Sequence, residues 1–163
     1  MQNGIFKPMK WMIFVMFLMV GSVVIAQPKT FNVKFLKDYY YYPDQGQPPL
    51  KKGANCFVLT NKKDMKRMFG ETNRVDTPDF SKEWMLVFVM PKAKWHNKVD
   101  IMEEARMMGT TIMVYCKMEQ SNKKLTYEFN PIKVCTIPIF SHINTVVFHA
   151  EDHMRIFGSV RVK

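Results

Sequence analysis

Residues 83–90 (EWMLVFVM) place seven apolar side chains in a row, and Pro91 closes the run. Side chains alternate between the two faces of a strand, so both faces of this segment are apolar. A strand with no polar side to offer to water belongs in the middle of a sheet. Pro91 has no N–H for the ladder and ends the strand. The rest of the chain has to be arranged around this element.

Upstream, residues 31–36 (FNVKFL) alternate apolar and polar and predict an opening strand. Residues 37–53 hold Pro43, Pro48, Pro49, Gly46 and Gly53, the composition of a loop. The same stretch contains Tyr39, Tyr40, Tyr41 and Tyr42 in succession. Tyrosine offers large contact area at low entropic cost, so the four are candidate binding residues. The plainer expectation is that alternate tyrosines cover an open edge of the core. Residues 54–60 (ANCFVLT) read as a buried strand. Asn61 is placed to cap a short helix near residues 62–69, with Met65, Met68 and Phe69 on one face and Gly70 at its end.

After Pro91 strands dominate. Residues 99–108 alternate, Gly109 marks a turn, and residues 110–118 return. Residues 125–129, 132–137 and 145–150 follow as further strands. In the last segment Met154, Ile156, Gly158, Val160 and Val162 alternate with a basic face of Arg155, Phe157, Ser159, Arg161 and Lys163. Short strands at this spacing with one early helix predict a mainly β fold, an antiparallel sandwich or barrel-like domain. Residues 92–98, with Trp95 and His96 among lysines, read as a solvent-facing loop and a second candidate contact surface. The competing expectation for Trp95 is that it folds back and caps the sheet end.

The first 26 residues have the parts of a cleavable signal peptide. Lys7 and Lys10 precede an apolar run over residues 11–26, and small residues precede a cut after Ala26. That run of 16 residues falls short of the roughly 20 that span a bilayer. Residues 27–163 are then expected to form a single β-rich domain, exported to the periplasm or the extracellular space. Without the leader, 22 basic and 14 acidic residues remain, a net charge of +8. Such a charge favours acidic partners or contact with an anionic membrane surface. The lysines are scattered and no nucleic-acid reader motif accompanies them, so nucleic acid is not an expected partner.

Few residues are arranged for chemistry. His149 and His153 are four apart, but they fall in an expected turn without a third ligand, so no metal is expected. Glu103 and Glu104 are adjacent and would point to opposite faces of a strand, unless they sit in a bulge or at a solvated edge. Neither Ser81 nor Ser141 lies in a nucleophile elbow. No glycine-rich phosphate loop is present, and no catalytic residue or cofactor is expected. The methionines are read as core filler. Cys56, Cys116 and Cys135 allow one disulfide and one spare thiol in an oxidising compartment, with Cys116 and Cys135 as the expected pair and three buried free thiols as the alternative.

One arrangement goes beyond composition. A strand ANCFVLTN leads to a helix KKDMKRMFG, then to a loop ending Asp79-Phe80-Ser81-Lys82-Glu83 and a strand WMLVFVM. Two long strands, a short strand and the proline-led PIKVCTIP complete it. This order resembles the C-terminal domain of the protease complex subunit PrcB family, over about residues 55–138. The family's glycine-glycine-aromatic signature after the central strand is absent; Pro91-Lys92-Ala93-Lys94-Trp95-His96-Asn97-Lys98 stands there instead. The resemblance implies a non-enzymatic accessory protein that accompanies a surface protease. The leading expectation is therefore an exported binding or accessory module that docks a protein partner; a secreted hydrolase and a small-ligand carrier are the alternatives. A hydrolase needs titratable groups converging in one cleft, and a carrier needs a large interior cavity.

The leader carries its own prediction. Mass analysis of the exported protein should find Gln27 at the N-terminus, and an intact Met1 in a membrane fraction would overturn the assignment.

Overall fold

The computed structural model describes residues 28–41, 47–70 and 74–162. The leader and Tyr42 lie outside the described residues. The chain is mainly β with one short helix, as expected, and its sheets do not close into a barrel. Its strands are β1 (Lys29–Asn32), β2 (Lys34–Leu36), β3 (Asn55–Leu59), β4 (Glu83–Val89), β5 (Ala93–Trp95) and β6 (Lys98–Met108). They continue with β7 (Thr111–Glu119), β8 (Lys124–Phe129), β9 (Ile132–Pro138), β10 (Thr145–Ala150) and β11 (Ile156–Arg161). The helix α1 (Lys62–Phe69) follows β3.

The first sheet has the order β1-β6-β7-β10-β11 and the second β2-β9-β4-β3; β5 and β8 form a separate two-stranded ribbon. The apolar run of residues 83–90 becomes β4, paired with β3 on one side and β9 on the other. Its two faces serve two cores. Trp84, Leu86 and Phe88 point between the sheets, where they meet Ile101, Val114, Ile137 and Phe148. Phe88 stacks on Phe148 at 6.5 Å and packs obliquely on Phe157 at 5.2 Å. Met85, Val87 and Val89 point the other way, against Met65, Met68 and Phe69 of α1.

The helix forms as its sequence predicts. Asn61 Oδ1 accepts from the Asp64 backbone N–H at 2.9 Å, and Asn61 Nδ2 donates to the Asp64 carboxylate at 2.7 Å. Gly70 ends it at φ 78°, a conformation that glycine adopts without Cβ strain. The turn before β4 is built on Asp79. Its Oδ1 accepts from the backbone and hydroxyl of Ser81, and Lys82 Nζ lies 3.0 Å from Oδ2. These donors hold the Asp79 carboxyl down to about 2.

Three departures from simple alternation shape the domain. Residues 31–36 are not one strand: β1 pairs with β6 in the first sheet, and β2 pairs with β9 in the second. The chain crosses at Val33, whose N–H donates to Glu103 O at 2.8 Å, so this segment closes one side of the sandwich. In β6, Ile101 faces Cys116 and Ala105 faces Val114, so Met102, Glu103 and Glu104 stand opposite Tyr115 alone. Two extra residues bulge out there and leave the inward parity of Ile101 and Ala105 unchanged. Between β10 and β11 a single extra residue does the opposite: Phe148 faces Gly158 and His149 faces Ile156. Phe157 thereby turns into the core and Ile156 is left 61% exposed, against the alternation read from the sequence.

The antiparallel expectation also needs one correction, because β10 runs parallel to β7. The connection from β9 crosses from the second sheet to the first and delivers Asn144 beside Thr110, with Asn144 N–H donating to Thr110 O at 3.0 Å. The chain therefore enters β10 at the end where β7 begins. Parallel neighbours need a long connection, which β8 and β9 supply.

The two-sided burial of β4 has a direct test. Leu86→Ala and Met85→Ala should each cost about 2–5 kcal/mol in urea unfolding. A loss at Leu86 alone would mean that α1 does not seal the second face.

Candidate functional site

Beyond Val89 the β4–β9 ladder is interrupted by Pro91 on one side and Pro131 on the other. Met90 N–H donates to Pro131 O at 2.9 Å, and Asn130 Nδ2 donates to Met90 O at 2.9 Å, which keeps the two chains together past the break. They then pair again as β5 and β8, with Ala93 opposite Phe129 and Trp95 opposite Lys124. The ribbon turns back into β6 through a tight bend in which Asn97 N–H donates to Trp95 O at 2.7 Å. His96 N–H donates to Lys123 O at 2.9 Å, and Ser121 N–H donates to Asn97 Oδ1 at 3.2 Å. Lys94 Nζ lies 3.6 Å from Glu128 Oε1.

The ribbon presents aromatic rings to solvent. Trp95 is 47% exposed and Tyr127 is 62% exposed. Tyr127 packs on Phe129 at 6.3 Å between ring centroids, and Phe129 lies 6.4 Å from His96. His96 and Phe129 form one wall of an open cleft of about 430 Å³ between the ribbon and the first sheet. Val99, Met102, Pro131 and Ile132 contribute apolar lining. The charges in the cleft are largely matched: Lys133 Nζ meets Asp100 Oδ1 at 2.8 Å, and Lys117 Nζ lies 3.2 Å from Glu119 and 3.7 Å from Glu151.

A smaller cleft of about 220 Å³ adjoins it at the β6 bulge, sharing Met102 and Glu151. Tyr115 is its centre. His153 meets the Tyr115 ring edge-on at 4.4 Å, His149 lies at 5.9 Å, and the Arg106 guanidinium sits 5.5 Å from the ring centroid. Glu104 approaches Arg106 at 3.7 Å. His153 has a φ of 59°, an uncommon conformation for a residue with a Cβ. The two histidines thus flank a tyrosine. Among the described residues no group of three His, Cys, Asp or Glu could hold a metal ion.

The residues singled out in the sequence fall in different places. Trp95 is at the surface, and His96 lines the larger cleft. As a four-residue contact surface the tyrosine segment requires a correction, and the plainer expectation that alternate tyrosines cover the core holds. Tyr39 and Tyr41 are buried, and only Tyr40, 57% exposed, faces solvent among the described tyrosines of that run. Tyr39 meets Phe69 edge-on at 5.0 Å, and the Tyr41 hydroxyl donates to Pro48 O. Arg74 lies over the Tyr39 ring at 4.5 Å and donates to the carbonyls of Lys37 and Asp38. Alternation thus turns two tyrosines onto the helix-side core, where burial raises their hydroxyl pKa. Tyr127 and Phe129 escaped the sequence reading. The alternation of Leu125, Tyr127 and Phe129 was visible, but nothing local tells that their partner strand is the short segment carrying Trp95.

The cysteines also depart from expectation. All three are free thiols, and no Cys116 to Cys135 bridge is formed. Cys116 lies on β7 and Cys135 on β9, strands of different sheets. Facing sheets stand about 10 Å apart, whereas a disulfide needs Cα atoms within about 7 Å. Burial pushes the Cys56 thiol up to about 12 and raises Cys116 and Cys135 as well. Such thiols carry little thiolate at neutral pH.

Comparison with known proteins gives no match, whether by family model, by curated sequence or by solved structure.

The thiol environment makes a measurable prediction. In folded protein at pH 8, iodoacetamide should leave Cys116 and Cys135 unmodified, and all three cysteines should react once denaturant is added. Rapid labelling of either residue without denaturant would contradict the burial.

Proposed function

We propose that the chain is an exported, non-enzymatic accessory module that docks a protein partner outside the cytoplasm. The observation that carries this reading is the β5–β8 ribbon, where Trp95 and Tyr127 stand in solvent while the neighbouring His96 and Phe129 wall a cleft that also holds Val99, Met102, Pro131 and Ile132. Exposed tryptophan and tyrosine are costly to leave in water and are enriched at the centre of protein interfaces. The space between the sheets supports the same reading, because Phe88, Phe148, Ile101 and their neighbours fill it rather than line a ligand chamber. The same reading takes the chain as a relative of the PrcB family, whose members accompany a surface protease, on the strand, short helix, loop and central strand order read in its sequence. On that reading, residues 91–98 stand where the family has its glycine-rich signature, and the partner surface of this chain is its own.

The experiment is a comparison of Trp95→Ala with the parent protein in two measurements. Thermal unfolding should change by no more than about 0.5 kcal/mol, as for other surface substitutions. Capture of the partner from a cell-envelope extract by immobilised protein should weaken by about 2 kcal/mol or more, as for an interface anchor. A large loss of stability would make Trp95 a structural residue, and unchanged capture would remove the ribbon from the interface.

A further inference from the structure

The ribbon and its ends are charged in one sense. Residues 91–98 and 121–129 contain Lys92, Lys94, Lys98, Lys123 and Lys124 against a single acid, Glu128. That acid is taken by Lys94. Among the described residues, Lys92, Lys98, Lys123 and Lys124 meet no carboxylate within ion-pair distance. Trp95 is paired directly with Lys124 across the ribbon, so its exposed indole stands within this positive field. A few residues away the character changes. Inside the cleft, Lys133 and Lys117 are matched by Asp100, Glu119 and Glu151, and Val99, Met102, Phe129, Pro131 and Ile132 add apolar lining beside His96, Asn97 and the rim residue Lys98.

Resting on the docking role proposed above, the geometry points to the chemistry of the partner: an acidic, extended segment that lays its carboxylates along the ribbon lysines and inserts an apolar side chain into the cleft beside His96 and Phe129. Charge complementarity selects the acidic segment, because unmatched lysines at a rim attract and orient an anionic partner before contact. The cleft selects a peptide over a lipid surface. It is a concavity walled by His96 and Phe129, which a flat headgroup layer cannot enter but a single side chain can. Trp95 then contributes its exposed face as the flat wall against which the segment rests.

The purified protein without its 26-residue leader, and so without Trp11, reports on this directly, since Trp84 is buried and contributes a constant background while Trp95 faces solvent. The probes are a short synthetic peptide of alternating Asp and Leu, its Lys and Leu counterpart, and vesicles of pure phosphatidylcholine or with added phosphatidylglycerol. The acidic peptide should shift the tryptophan emission to the blue in a saturable, salt-sensitive manner, and the basic peptide should not. The double substitution Lys123→Glu and Lys124→Glu alters two exposed side chains, should leave the melting temperature unchanged, and should weaken the acidic peptide by roughly tenfold. Equal binding of both peptides, or an acidic peptide that ignores the charge reversal, would overturn the assignment. A blue shift with phosphatidylglycerol vesicles and none with the acidic peptide would overturn it in favour of a membrane surface. If Trp95→Ala abolishes partner capture while acidic peptides fail to bind, the docking role stands and the acidic partner chemistry falls.

Discussion

Burial of both faces of β4 is the condition on which the other layers depend. Each large side chain removed from water contributes about 1.5–3 kcal/mol, and β4 supplies them on alternate sides. Trp84, Leu86 and Phe88 hold the two sheets together, while Met85, Val87 and Val89 demand a cover of their own. The cover is α1, and an isolated helix of eight residues is not stable in water. It persists because Met65, Met68 and Phe69 are fully used against β4, and because Tyr39 and Tyr41 close the margin it is too short to reach. Strand, helix and tyrosine segment therefore form one cooperative unit, in which no member is stable without the others.

The same strand explains where the exposed surface arises. Pro91 withdraws a donor from the ladder at the point where β4 would otherwise continue, and Pro131 does so on the partner chain, opposite Met90. Past that break the chains re-pair as the β5–β8 ribbon, no longer part of either sheet. A ribbon outside the layers has no second sheet or helix to cover it, so its aromatics remain in water. The contrast between Trp84 and Trp95 follows from this alone: one precedes the proline break and lies in the core, the other follows it and lies in solvent.

Much of the fold was legible in the chain because its signals are local. The Asn61 cap, the glycine at position 70, the doubly apolar run of β4 and the glycine turn between β6 and β7 act within a few residues, and each produced the element it predicts. The short strand β5 was not legible, because three residues among lysines have no periodicity to read. Nor was the fate of Phe157, whose parity is reversed by one extra residue in β11. A bulge is decided by how a strand matches its neighbour, and the strand's own sequence is nearly silent about it. The candidate site was legible only in part: the surface position of Trp95 could be argued from its lysine neighbours, whereas the cleft behind it could not.

The sequence by itself determined most of the strand segments, where the single helix starts and stops, and that one strand has to be buried on both sides. These follow from side-chain periodicity, capping and proline, all of which operate over a few residues. Only the tertiary structure decided that residues 31–36 divide between two sheets, that β10 lies parallel to β7, and that Cys116 and Cys135 stand in opposite sheets instead of side by side. It also brought Tyr127 and Phe129 to the side of His96 and Trp95, across more than 30 residues of chain. Pairing between distant segments depends on the shape that all the layers reach together, and no single segment carries that information.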